Sequence, residues 1–134
     1  MTKTNSADWL FFAESDMKLA ESAIDKAIYH LACFHAQQAA KKYLKAYLAQ
    51  KGLTIPKVHS LKELYEFLQP HVSELEQFLE SLRVLDQYYI PTRYPDALPG
   101  TLPEGLPTKE HAEKALSDVK KLSDFIYKKI SPDK

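Results

Sequence analysis

The stretch Tyr29 to Gln50, YHLACFHAQQAAKKYLKAYLAQ, decides the fold. In it Cys33, Ala36, Ala40, Tyr43 and Tyr47 recur at steps of three and four, the spacing that keeps side chains on one face of a helix. Gly52 stands where such a helix would end. Alanines 32, 36, 39 and 40 let a neighbouring helix approach closely. The segment is predicted to be a long helix buried along one stripe, and a helix of that kind needs partners.

Partners are legible on both sides. Upstream, Leu10, Ala13, Met17, Ala20, Ile24 and Ala27 keep the helical period, with Asn5 or Ser6 available as cap. Downstream, Ser60 and Glu63 have the capping-box spacing that opens a short third helix, which Pro70 stops. Ser73 and Glu76 repeat the signal ahead of Leu75, Phe78, Leu79, Leu82, Asp86 and Tyr89, a fourth helix. Thr108, after Pro107, is placed to cap a last one carrying Ala112, Ala115, Val119, Leu122, Ile126 and Ile130 in register. Glycine is scarce and no β-branched alternation appears, so strands have little support. The expected fold is all-α, an antiparallel bundle of four long helices and one short one, in a single domain over 1–134. Between the last two helices, residues 90–108 hold five of the eight prolines, at 91, 95, 99, 103 and 107, which no helix can cross. A proline-rich loop of that length is a flexible crossover or a functional loop.

Composition bounds the function. Apolar residues make up 45% and charged residues 27%, an ordinary globular balance. No apolar run approaches the ~20 residues of a membrane span, and the N-terminus lacks a signal-peptide pattern, so a cytoplasmic protein with no membrane contact is expected. The single cysteine, Cys33, precludes an internal disulfide and reads as a small buried residue. Net charge is zero, yet Lys41 to Lys62 carries lysines at 41, 42, 45, 51, 57 and 62 and no acid, while Glu63 to Glu80 carries only glutamates among its charges. The lysine block reads either as a solvated face neutralised by the next segment or as an anion-attracting face.

His35, Gln38, Lys42 and Lys45 form a polar stripe beside the apolar one. Histidine and glutamine can hydrogen-bond bases, and lysines can neutralise phosphate; the same residues could equally brace the bundle or a dimer seam. Arg93 lies in the proline-rich loop between Tyr88, Tyr89 and Tyr94, a setting suited to forking onto a phosphate or stacking on a base. Its structural alternative is a salt bridge to Asp86 or Asp96. His59 reads as a loop residue bonding to backbone. The five histidines show no i, i+4 pair, and no phosphate loop or nucleophile elbow is present, so neither a metal site nor any cofactor nor a familiar catalytic residue is expected.

Three stretches, FHAQQAAKKYLKAYL at 34–48, VHSLKEL at 58–64 and YYIPTRYPD at 88–96, resemble the HEPN family, the "higher eukaryotes and prokaryotes nucleotide-binding" domain. The resemblance runs from Trp9 to about Ile126. It implies an up-and-down four-helix bundle with an additional short helix, a homodimer, and a small nucleotidyltransferase partner in a two-component, toxin–antitoxin-like module. Two departures stand out. Where the family reads Gln-Ala-Ala-Glu-Lys, this chain has Lys41 after Gln38, Ala39 and Ala40. The ribonuclease members of the superfamily carry Arg followed after four to six residues by His, whereas Arg83 meets Tyr88, Tyr89 and Ile90 there, and Arg93 meets Leu98, Pro99 and Gly100. Ribonuclease activity therefore does not carry over. The expectation is a non-catalytic module that binds a nucleotide or RNA through Arg93, Tyr94, His35, Gln38 and Lys42. The alternatives are a metal-independent ribonuclease with a rearranged site drawing on His35 or His59, and a purely structural dimer.

Overall fold

Helix α1, Ser6–Asp25, starts where Asn5 and Asp8 form a reciprocal cap: the Asn5 side chain accepts from the Asp8 N–H and the Asp8 carboxylate accepts from the Asn5 N–H. Its end and that of α2, Tyr29–Gln50, are built alike. Ala27 N–H donates to Ile24 and Ile28 N–H to Ala23; Gly52 N–H donates to Ala49 and Leu53 N–H to Leu48. This is the Schellman closure, which puts one residue in the left-handed region. Gly52 takes it at φ +74° without a side chain to strain, whereas Ala27 is held at φ +61°. Ala27 therefore leaves the helical register that its spacing predicted, because α1 has already ended at Asp25.

The computed structural model describes residues 5–58, 60–89 and 105–130. Within them α3, Leu61–Leu68, is capped by Ser60 and Glu63 as expected. The fourth helix departs from expectation: Ser73–Phe78 winds as a 3-10 turn without a side-chain cap, and only α4, Leu79–Asp86, is α-helical. Ser73 is thus not the cap that its spacing with Glu76 suggested. The long helices are three, α1, α2 and α5 (Lys109–Ile130), with α3 and α4 short. Thr108 Oγ1 accepts from the His111 N–H, which fulfils the expected cap of α5. The proline-rich loop falls, from 90 to 104, outside the described residues.

Helix α2 is the hub of an antiparallel up-and-down bundle, packing on α1, α3, α4 and α5. Against α1 the seam is made of fully buried Ala13, Ala20, Ala32, Ala36, Ala39 and Ala40, so two backbones approach with little side chain between them. On its other sides Tyr43, Leu44 and Leu48 meet leucines of α3 and α4 and Leu122 and Ile126 of α5. One carboxylate clasps three helices: Glu14 accepts from Tyr43 Oη at 3.1 Å and Tyr127 Oη at 2.7 Å. No helix among the described residues is long and apolar enough to cross a membrane.

Candidate functional site

The small-residue seam brings the polar stripe of α2 against α1, and there it meets an acid. Asp16 is buried, with His35 Nδ1 at 2.9 Å from one carboxylate oxygen and Lys42 Nζ at 2.5 Å from the other. A carboxylate can only accept, so the His35 Nδ1–H donates to Asp16. His35 and Lys42 retain partial exposure, 24% and 28%, so their outer atoms reach solvent. Gln38 does not join this pair; its amide donates to Gln37 Oε1 at 2.8 Å.

The neighbouring lysines are held by rings rather than acids. Lys45 Nζ lies 5.0 Å from the centroid of Trp9 on α1, and Lys41 Nζ lies 4.1 Å from that of Tyr89, just past α4. Lys41 is buried, which corrects its reading as part of a solvated face. Burial lowers its pKa, Lys45 and Lys42 push in the same direction, and Asp86 opposes. Lys45 is lowered by burial and then by Lys42. Asp86 serves chiefly as an anchor for α3: it accepts from the Leu61 N–H at 2.8 Å and the Lys62 N–H at 3.1 Å, although burial still raises its pKa.

Of the residues singled out in the sequence, His35 and Lys42 are brought together through Asp16. Arg93, Tyr94 and His59 lie outside the described residues. Cys33 is buried and its thiol is pushed up to about 11, chiefly by burial, so it stays protonated and unreactive at neutral pH. Among the described residues no group of three or more His, Cys, Asp or Glu could hold a metal ion. Sequence reasoning missed Asp16, Trp9 and Glu14. Asp16 carried a usable signal, since it sits three residues after Ala13 and four before Ala20, an acid in register with a buried stripe.

Comparison with known proteins agrees with this architecture. TT1696 from Thermus thermophilus is 35% identical, over 95% of this chain and 99% of its own, with a TM-score of 0.78. ST0689, an archaeal HEPN homologue, is 27% identical over 96% and 99%, with a TM-score of 0.77. An HEPN domain protein of Thermotoga maritima, tm0613, is 24% identical over 93% and 98% and shares the fold with a TM-score of 0.73. No curated protein is similar enough to match. The HEPN domain family model matches residues 6–130, nearly the whole described chain, and the chain belongs to the HEPN domain family.

Proposed function

We propose that this chain is a binding module that holds a phosphate-bearing ligand, a nucleotide or RNA, on the face of α2 formed by His35, Gln38, Lys42 and Lys45, with Arg93 and Tyr94 contributed by the loop. The observation that carries it is electrostatic. Three ammonium groups crowd one turn of α2, and the pKa values of Lys41 and Lys45 are lowered chiefly by burial and further by repulsion from the neighbouring lysines. Asp16 offsets Lys42, and Asp86 partly offsets Lys41. Lys45 is left facing an aromatic ring, so an anion docking there relieves repulsion. Arg93 is assigned to this face in the proposal because it follows Tyr89, which packs on Lys41, by four residues, at most about 14 Å of extended chain.

The module works, in this reading, as a homodimer beside a small nucleotidyltransferase in a two-component, toxin–antitoxin-like system. Support for self-association is an exposed apolar strip on α1, where Phe11, Phe12 and Leu19 lie open to solvent. Nucleotides and short single-stranded RNA titrated against wild type, Lys42→Ala and Arg93→Ala, at low and high salt, test the binding. Expected is binding that weakens with salt and falls several-fold in each variant. Unchanged affinity in both variants, or no binding by wild type at low salt, removes the anion face.

A second reading rests on the His35–Asp16 pair alone. An imidazole held at Nδ1 by a carboxylate has the geometry of a general base, which would suit a ribonuclease with a rearranged site.

A further inference from the structure

At the end of the bundle where α1 begins and α2 ends, Trp9, Ala49, Leu53 and Ile55, with Asn5 and Thr54, line a cavity of about 520 Å³. That volume suits a small organic molecule, and the lining is the apolar majority with a few polar groups that such sites show. Two features bear on what it takes. The indole of Trp9 forms part of the wall, a flat surface against which a planar ring can rest. The ammonium of Lys45 lies at the same indole and is one helical turn from Lys42, so positive charge runs from the cavity to the Asp16–His35 pair.

We propose that this cavity is a nucleobase subsite: the base of a nucleotide rests against Trp9 and sends its phosphate to Lys45 and Lys42. This rests on the phosphate reading of α2 and adds to it where the base goes. Charge fixes the ligand's direction. Asp8 at the start of α1 repels a phosphate from the Asn5 end, and the lysines attract it at the other. A purely apolar guest would leave the Lys45 charge without use, so a ligand with both an aromatic ring and an anion fits the two features together.

Trp9 is the only tryptophan, so its emission reports on this cavity directly. Each of the four ribonucleoside 5′-monophosphates, ribose 5-phosphate and adenosine would be titrated against the full chain, with calorimetry as an independent measure of binding. Expected is a saturable change in Trp9 emission with at least one monophosphate, and affinities at least tenfold weaker for ribose 5-phosphate and adenosine. Lys45→Met should weaken that monophosphate about fivefold. Thr54→Phe, at an exposed lining position away from the core, should fill the groove and weaken it about tenfold without a change in melting temperature. A monophosphate that binds by calorimetry while Trp9 emission and the Thr54→Phe variant stay indifferent overturns the base subsite and leaves the phosphate face standing. Ribose 5-phosphate or adenosine binding as well as the monophosphate overturns it too. Absence of binding by every monophosphate and by single-stranded RNA removes both.

Discussion

Replacing Asp16 by Asn keeps the shape of the side chain and removes the charge that joins His35 and Lys42. The carboxylate is 9% exposed, so in the wild type its two charge-assisted bonds work in a poorly solvated place. Bonds to charged groups contribute about 1.5–3 kcal/mol each, and breaking a fully buried pair costs about 3–5 kcal/mol because a charge is stranded. Here the stranded groups are not fully buried: Lys42 and His35, about a quarter exposed, can turn to water. The expected loss is therefore nearer about 2 kcal/mol. With about 2.1 cal/mol/K of unfolding entropy per residue over 134 residues, that loss lowers Tm by about 7 °C. Binding should move the opposite way, since Asp16 contacts both His35 and Lys42 of the proposed anion face. For a phosphate charge roughly 6 Å away in water its removal is worth about 0.7 kcal/mol, a threefold tighter Kd at low salt. Calorimetric melting and nucleotide titration of the two proteins read both numbers. A Tm drop under about 2 °C, the range of an exposed ion pair, would refute the claim that Asp16 organises this site, and weaker nucleotide binding in a folded variant would refute the assignment of the face.

Ala27→Gly should stabilise by about 0.5–1 kcal/mol, because it relieves the left-handed alanine that closes α1 and makes that end match the one at Gly52; a melting curve with no upward shift would contradict it. Lys41→Met should raise stability at neutral pH by about 1 kcal/mol, since burial and Lys45 cost the Lys41 charge more than Asp86 returns. A lysine with a folded pKa below its unfolded value binds fewer protons in the fold, so this advantage shrinks as pH rises through the folded value towards 10.5; denaturant midpoints at pH 7 and pH 10 check it. Burial pushes the Tyr43 phenol up to about 12 and the Tyr127 phenol in the same direction, so the fold holds more protons than the unfolded chain above pH 10. Stability should be full below pH 10 and fall as pH rises from 10 towards 12, and a Glu14→Gln variant should show a weaker fall; ultraviolet phenolate absorbance and denaturant melts follow both. No cleavage of labelled RNA by the isolated protein is expected at neutral pH, as neither arginine has a histidine at the ribonuclease spacing, and cleavage that His35→Ala abolishes would favour the Asp-held imidazole instead.

The helices were legible because their signals are local. The step of three and four marked out α2, and Ser60 with Glu63 announced α3, since a cap and a buried stripe each depend on residues within one or two turns. Ser73 and Glu76 show the limit: the same spacing produced no cap where the segment wound as a 3-10 turn between α3 and α4. Family membership was equally accessible, because it rests on residues in order along the chain. The polar stripe of α2 could be named but not interpreted, since whether Lys41, Lys42 and Lys45 face water, an acid or a ring depends on which residues of α1 and of the segment after α4 lie opposite. That register is set by long-range packing of the alanine seam, which places Asp16 against His35 and Lys42 and Trp9 against Lys45. Sequence alone therefore determined α1, α2, α3, α5 and the family, whose causes are near neighbours. Only the tertiary structure decided the pairings, because charge and burial depend on distances between residues nineteen, twenty-six and thirty-six positions apart.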